Sequence, residues 1–336
     1  MATEELLVTL RHNPGIDPVL SVWGWEIPLY LYLGGLTAGL MVFAAVIVLA
    51  RREEQAPFAG RQAILLAPLV LSAGMLFLFL DLSHKLYVYR FYTTFEPTSP
   101  MSWGAWFLLL VYPASIALIL ASLRAGYPAL AAQAARVPGM SALMNAAERG
   151  RRPIAAVTLV SGAALGVYTG ILLSAFNARP FWNSGVLGPL FLVSGLSTAA
   201  ALIVLAARFH HEEKTLFTRI DIGLILAELV LVALLLVSLA TGSAVQVEAA
   251  REVFSGEQAL AFWVLFVGLG LLVPLGLEVL ELRGICLWFL AAPLLILVGG
   301  YLLREITVDI GQRTAYQQYV EEYDARWLER LNSTRE

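Results

Sequence analysis

Apolar blocks of about 20 residues recur along almost the whole chain and constrain its fold more than any other feature. A helix of that length crosses the hydrocarbon core of a bilayer and satisfies its own backbone hydrogen bonds there. Hydrophobic residues make up 59% of the chain and charged residues only 14%, which excludes a soluble domain of 336 residues. The sequence therefore predicts an all-α polytopic membrane protein with about eight transmembrane helices. The predicted spans are approximately 26–50, 63–86, 102–123, 153–176, 184–207, 221–240, 258–280 and 284–303.

Basic residues are unevenly distributed between the connections, and this asymmetry predicts the orientation of the chain. The connections after the first, third, fifth and seventh spans hold most of the arginines and lysines, so we place them in the cytoplasm. Both termini and the turn at Arg179 are then expected to face the periplasm. The first 25 residues lack a basic segment followed by an apolar one, so we expect no cleaved signal peptide and a first helix that stays in the membrane.

The first and fifth spans resemble each other. The segment from Pro28 to Ala38 aligns without gaps on the segment from Pro189 to Ala199, and the proline, one glycine and the threonine coincide. A repeat of this kind predicts two four-helix bundles, 26–182 and 183–303, in which glycines at four-residue spacing favour close packing. An outward N-terminal segment, 1–25, and an outward polar tail, 304–336, flank them. Aromatic residues of the tail recur at helical spacing and would lie on the membrane or dock on another subunit.

Polar residues from three predicted helices lie at one depth, near the outer face. Ionisable groups inside a membrane are costly and usually face a cavity or a partner, so they mark a candidate site. We expect the first, second and fourth helices to converge on one polar pocket, capped by the turn from Arg179 to Asn183. The candidate residues are Glu26, Tyr30, Asp81, His84, Tyr168, Arg179, Trp182 and Asn183.

Several of these residues also have a purely structural interpretation. Asp81 and Arg179 could form an ion pair that only stabilises the fold. Trp182 could only fix the depth of the chain at the interface. His84 could be an interfacial side chain rather than a proton carrier.

Three further acidic residues lie deeper, in the cytoplasmic half of the sixth and seventh spans. They are Asp221, Glu228 and Glu278. Buried carboxyl groups in a row could conduct protons from the inside. The alternative is that they tie helix ends together or extend to the surface, and only Glu228, about two turns into its span, clearly requires another explanation.

The rare residue types restrict the chemistry of the chain. Cys286 is the only cysteine, so this chain alone builds neither a disulfide framework nor a cysteine-ligated cluster. Of the four histidines only His84 borders a predicted membrane core, which argues against a haem held between spans. The chain has no basic run, so nucleic acid is not an expected ligand. We expect no metal in this chain.

Several motifs together resemble the NrfD-type family of polysulfide reductase membrane subunits. The second-span aspartate departs from the pattern: the family usually follows it with a Gly-Arg-Pro-like turn, whereas this chain has Leu82-Ser83-His84-Lys85. This departure leaves open how Asp81 is held and whether His84 has taken over a role. The matching segments are Trp25 to Gly39, Leu80 to Leu82, Pro97 to Trp106, Tyr168 to Gly170, Arg179 to Asn183 and Phe191 to Thr198.

The resemblance implies a haem-free quinone-binding subunit of a respiratory oxidoreductase in the bacterial inner membrane. Its cofactor would be menaquinone or ubiquinone, and its partners a periplasmic four-cluster ferredoxin-type iron–sulfur subunit, a molybdopterin-dependent catalytic subunit and membrane lipid. In the predicted polar pocket near the outer face, Tyr168 together with Glu26 or His84 would hold the quinone carbonyls. Asp81 would exchange protons, and Arg179 would stabilise anionic quinone. A secondary transporter and a purely structural anchor remain alternatives.

Overall fold

The computed structural model describes residues 23–285 and 290–314. Within these residues the chain is helical without strands, and eight helices are long and apolar enough to span a membrane, which confirms the predicted fold class. The predicted aromatic stripe on the tail and Cys286 lie outside the described residues. The long helices are α1 Glu26–Ala50, α2 Phe58–Asp81, α3 Pro100–Gly126, α4 Arg151–Ser174, α5 Leu187–Ala206, α6 His211–Ala240, α7 Ala261–Leu282 and α8 Ala291–Arg313.

The helices form two rings of four. In the first bundle α1 packs against α2 and α4, and α3 joins α2 to α4; in the second bundle α5, α6, α7 and α8 contact one another in the same cyclic order. The two bundles meet along α1, α4, α5 and α8. The predicted pair of four-helix bundles is therefore confirmed. The division between the two bundles at residue 182 stays a prediction.

The repeated helices α1 and α5 pack directly against each other through glycines. A Cβ added to Gly39 would overlap the carbonyl oxygen of Gly195, and a Cβ on Gly195 would meet the carbonyl oxygen of Gly35 at 2.5 Å. Helix backbones approach this closely only where side chains are absent. The packing role predicted for these glycines is confirmed, and the shared segment of sequence becomes the central interface of the molecule.

The helical assembly has two ends, the Arg179 end and the Arg151 end. The Arg179 end holds the start of α1 and the connection between α4 and α5; the Arg151 end holds the start of α4. Positive-inside asymmetry predicts that the Arg179 end faces the periplasm. At the Arg151 end the short helices Pro128–Ala134 and Met140–Arg149 follow α3, and Arg124 donates hydrogen bonds to Asn145 and Glu148 beside them.

Glu213 ties the two bundles together at the Arg151 end. Its fully buried carboxylate accepts hydrogen bonds from the backbone N–H groups of Phe58 at 3.1 Å and Ala59 at 2.7 Å. These donors lie in the first turn of α2, where N–H groups have no partner within the helix and a negative charge is favoured. The start of α6 in the second bundle therefore caps a helix of the first.

The last helix corrects the prediction most clearly. The sequence places the end of the eighth span at residue 303 and a polar tail from Arg304 onward, but α8 continues to Arg313. Arg304 is fully buried, and Ile306, Val308 and Ile310 after it are also buried. When only the sequence is known, the polar residues of this stretch predict a solvated tail. The sequence alone does not show that a charged side chain has partners inside the protein.

Candidate functional site

A cavity of about 310 Å³ lies inside the first bundle at the Arg179 end. It is enclosed by α1, the ends of α2 and α4, the start of α3 and the connection that follows α2. Its walls are mostly apolar, with Ile27, Leu31 and Leu108 among the buried contributors. Its volume is at the lower end of the range of about 300–1,000 Å³ usual for small-molecule sites. The cavity therefore has room for one ring system of a ligand.

Three of the predicted site residues line this cavity: Tyr30, Asp81 and Tyr168. Both tyrosine rings are buried, and Asp81 is the last residue of α2, partly exposed at the cavity edge. The residues come from α1, α2 and α4, the helices that the sequence predicts to converge. Their meeting in one cavity is a finding of the structure, while their roles stay proposals.

The hydroxyl of Tyr168 is held by the backbone of α3. It donates a hydrogen bond to the carbonyl oxygen of Pro100 at 2.9 Å. Gly104 makes this position possible, because a Cβ there would overlap the Tyr168 hydroxyl. Tyr168 lines the cavity, and because its proton is engaged by Pro100, its phenol oxygen can act only as a hydrogen-bond acceptor.

Tyr30 has the complementary property. Its buried hydroxyl makes no hydrogen bond to another described residue, so its proton is available to a ligand in the cavity. The Asp81 carboxylate, which lies near Glu26, is an acceptor when it is charged. The cavity thus offers one tyrosine donor, one tyrosine acceptor and one carboxyl group that can take up or release a proton.

The lining also contains residues that were not among the predicted site residues, including Tyr92 and Trp23. Tyr92 belongs to an aromatic run after the second span that, from the sequence, could form an interfacial belt or shape the mouth of a pocket. It lines the cavity, and burial raises the pKa of its hydroxyl, so it stays protonated at neutral pH. Trp23, from the N-terminal segment, forms another part of the wall. No sequence signal separates Tyr92 from its exposed neighbours Tyr87 and Tyr89, because all three belong to the same aromatic run.

The turn from Arg179 to Asn183 contacts the second bundle instead of lining the cavity. Arg179 donates hydrogen bonds through Nη1 to the carbonyl oxygens of Gln312 at 2.8 Å and Thr314 at 3.4 Å. Burial lowers the pKa of this guanidinium from its usual high value. The described contacts of this turn thus bind the end of α8.

Trp182 and Asn183 continue this contact. The Trp182 indole is fully buried and donates to the carbonyl oxygen of Thr307 at 2.7 Å. The backbone carbonyl of Asn183 accepts a hydrogen bond from the side chain of Gln246 at 3.3 Å. The remaining predicted residues lie outside the described cavity lining: Glu26 near Asp81, and His84 exposed with its ring 6.4 Å from that of Tyr87.

The three deeper acidic residues are fully buried in the second bundle. Ser197 donates a hydrogen bond to Asp221 at 2.6 Å, and the carboxyl group of Glu278 lies beside that of Asp221. Among the described residues neither oxygen of Glu278 has a hydrogen-bond donor. Two buried carboxyl groups therefore lie side by side in the second bundle.

Glu228 has a partner that the sequence did not identify. The guanidinium of Arg304 donates to Ser194 at 2.6 Å and to the carbonyl of Phe191 at 3.0 Å, and the Ser194 hydroxyl donates in turn to Glu228. Arg304 and Glu228 also attract each other by charge. Ser194 and Ser197, one turn apart in an apolar helix, are the sequence signal that would have indicated a buried polar face on α5.

Metal-ligating side chains are not clustered in the described part of the molecule. Across residues 23–285 and 290–314 no three histidine, cysteine, aspartate or glutamate side chains are placed to hold a metal ion. The three described histidines, His84, His210 and His211, are all exposed.

Two four-helix bundles of membrane-spanning helices, with a mostly apolar cavity at one end, define this molecule as a polytopic membrane protein. The family model described as "Polysulphide reductase, NrfD" matches residues 12–315, so the chain belongs to this family.

Three relatives show how far the similarity extends. The chain is 32% identical over 312 residues to "Protein NrfD" of Escherichia coli, covering 87% of this chain and 96% of the relative. It is 29% identical over 303 residues to a chain of polysulfide reductase from Wolinella succinogenes, covering 87% and 94%. It is 26% identical over 293 residues to a subunit of selenate reductase from Mesobacillus selenatarsenatis, covering 76% and 66%.

Proposed function

We propose that this chain is the haem-free quinone-reactive membrane subunit of a respiratory reductase complex. It would exchange electrons between menaquinone or ubiquinone in the bacterial inner membrane and an iron–sulfur subunit on the periplasmic side. Two relatives are named as parts of reductases, one for polysulfide and one for selenate, which supports membership of such a complex. The observation that carries the proposal is the cavity of the first bundle, with Tyr30, Asp81 and Tyr168 in its wall.

The polar groups of the cavity suit the reduced form of a quinone. A quinol has two hydroxyl donors, and the acceptors here are the phenol oxygen of Tyr168, whose own proton is bound to Pro100, and the carboxylate of Asp81. The unengaged hydroxyl of Tyr30 suits the carbonyl of the oxidised form. Asp81 is partly exposed at the cavity edge, so a proton taken from the ligand can pass from its carboxyl group to water.

The ligand can reach the cavity from the bilayer. Phe79 of α2 and Met101 of α3 line the cavity and are also 37% and 48% exposed on the outside of the bundle. Deeper in the membrane the hydroxyls of Ser72 and Tyr112 bond at 3.0 Å and hold α2 and α3 together. A ring in the cavity can therefore leave its apolar tail between α2 and α3, toward lipid.

The buried acids of the second bundle support an additional proposal, that protons are translocated. Asp221 and Glu278 lie toward the Arg151 end, where Glu281 forms an ion pair with Lys214 near the surface. Glu228 and Arg304 continue the buried polar groups farther along α6 and α8. These residues would form the part of a proton path that starts from the cytoplasm, one of the two interpretations that the sequence leaves open for the three acids.

The close contacts between the bundles argue against a secondary transporter. Transporters built from repeats move one repeat against the other around a central site. Here such a movement would separate Gly39 from Gly195 and break the bonds of Glu213 at one end and of Arg179 at the other. A purely structural anchor, in turn, has no need for three polar side chains in an apolar cavity.

A variant whose side chain fills the cavity tests the proposal in a binding experiment. In the purified chain we expect saturable binding of a fluorescent quinol analogue, and we expect Gly104→Val to weaken it at least about tenfold, because the new side chain displaces the Tyr168 hydroxyl into the cavity. Gly223→Val on α6 is the matched control, since no neighbouring atom lies within 4 Å of a Cβ there. Equal binding by both variants would place the site elsewhere, and no binding by the wild type would favour the anchor or the transporter.

A further inference from the structure

We propose that Gln312, at the end of α8 in the second bundle, is a positioning residue for the quinone cavity in the first. It would hold Trp23 in place as part of the cavity wall. This inference rests on the proposed function of the cavity. It follows from contacts that join residues 289 positions apart in the chain.

The side-chain amide of Gln312 binds the backbone of Trp23 on both sides. The N–H of Trp23 donates to Oε1 of Gln312 at 3.1 Å, and Nε2 of Gln312 donates to the carbonyl oxygen of Trp23 at 3.0 Å. A pair of opposed hydrogen bonds fixes orientation as well as distance. Gln312 therefore determines where the peptide of Trp23 lies.

From Trp23 onward, the described residues next to it in the chain give its backbone little local support. Helix α1 begins only at Glu26, and its first turn has no side-chain cap. The N–H of Trp23 thus precedes the helix and cannot join its ladder of hydrogen bonds. Without Gln312 the backbone of Trp23 loses both of these contacts, and the wall of the cavity at this point becomes mobile.

The indole ring of Trp23 is held by the same helix through a second route. It stacks on Trp182 with ring centres 5.2 Å apart and planes inclined by 24°, and its edge meets Phe176 at 5.5 Å. Trp182 is fixed by its bond to Thr307, and Gly311 leaves the space that the Trp182 indole occupies. Residues of α8 thus contact the backbone of Trp23 directly and its ring through Trp182.

Arg179 belongs to this arrangement. It donates to the carbonyl oxygen of Gln312, whose side chain binds Trp23. The turn from Arg179 to Asn183 therefore acts on the cavity through Gln312 and Trp182, and contacts no ligand itself in this proposal. The position of the cavity wall is set by the contact between the two bundles.

The test measures the environment of Trp23 and ligand affinity separately in the full chain in lipid nanodiscs. The protein is labelled with 5-fluorotryptophan, and the fluorine resonance of Trp23 is assigned by its loss in Trp23→Phe. Gln312→Ala is expected to shift or broaden this resonance and to weaken binding of a quinol analogue about tenfold, since it removes two hydrogen bonds. Binding at saturation and the unfolding temperature should stay at wild-type values.

Two further variants make the result specific. Gln312→Glu keeps an acceptor for the N–H of Trp23 but loses the donor to its carbonyl, so intermediate affinity is expected. Gln258→Ala is the matched control: this glutamine also binds α8, through Asp309 at 2.6 Å, but does not contact Trp23, and its loss should change neither measurement.

The outcomes separate this inference from the function on which it rests. An unchanged Trp23 resonance in Gln312→Ala, or a changed resonance with wild-type affinity, would overturn the positioning role and leave the quinone site intact. Absence of saturable binding by the wild type would overturn the proposed function and the positioning role together. A fall in the unfolding temperature with unchanged affinity would show a purely structural contact.

Discussion

Asp81→Asn is expected to lower quinol turnover by the assembled complex about 100-fold or more, because a positioned general base typically contributes factors of about 10²–10⁴. The amide is similar in size and keeps an acceptor oxygen, but it cannot take up a proton at neutral pH. The loss should therefore fall mainly on kcat, with a smaller effect on KM. The measurement is steady-state quinol oxidation by the complex reconstituted in liposomes.

Asp309→Asn is the matched control for this prediction. Asp309 lies near the same end of the molecule on α8, where it binds Gln258 and Arg313 and is remote from the cavity. Its replacement should leave turnover close to wild type. Wild-type turnover in Asp81→Asn would remove this carboxyl group from the proton step and leave the tyrosines as the proton-handling groups.

Arg304→Met is expected to destabilise the protein by about 3–5 kcal/mol, the range found when one member of a buried ion pair is removed. The change leaves Glu228 buried without its cation and deprives Ser194 and the carbonyl of Phe191 of their donors. The measurement is reversible unfolding in a mixed detergent system. Arg208→Met, at an exposed position, should change stability by less than about 0.5 kcal/mol.

A double variant separates the ion pair from simple loss of packing. If Arg304 mainly neutralises Glu228, then Arg304→Met combined with Glu228→Gln should be more stable than Arg304→Met alone. Simple addition of the two single effects would contradict the pairing. Arg304→Lys keeps the charge but cannot reach both Ser194 and Phe191 as a guanidinium does, so an intermediate loss is expected.

Much of the fold could be predicted because lipid imposes a strong rule on sequence. The predicted first span coincides with α1, Glu26–Ala50, and the other spans overlap the observed helices. The sequence predicts the second span at 63–86, but α2 runs from Phe58 to Asp81, because its first turn is capped by Glu213 from another helix. A cap supplied across the fold has no signal in the local sequence.

The candidate site could be predicted in part for a related reason. Depth in the membrane follows from position along a span, so Tyr30, Asp81 and Tyr168 could be assigned to one level, and they do line one cavity. The side of the helix on which each residue lies could not be predicted, nor could contacts between segments that are distant in the sequence. The sequence predicts Arg179 as a ligand-binding group, yet its described acceptors are backbone carbonyls of residues 312 and 314, and every residue carries such a carbonyl.

Arg304 is a second residue whose contacts could not be predicted from the sequence. A charged residue after an apolar run indicates the end of a span when nothing is known of its partners. Its acceptors are a serine and a carbonyl oxygen of α5, more than 100 positions earlier in the sequence. Only the packing of α5 against α8 brings these groups together, so the buried cation is visible in the structure alone.

The central claim, that quinone occupies the cavity of the first bundle, is tested most directly by photoaffinity labelling. The complex in native membranes would be irradiated with an azido-quinone and the labelled peptides identified, with and without excess unmodified quinone. We predict competed labelling within residues 75–92 and 101–108, which border the cavity. Competed labelling confined to α6, α7 or α8 would contradict the claim and place the quinone in the second bundle.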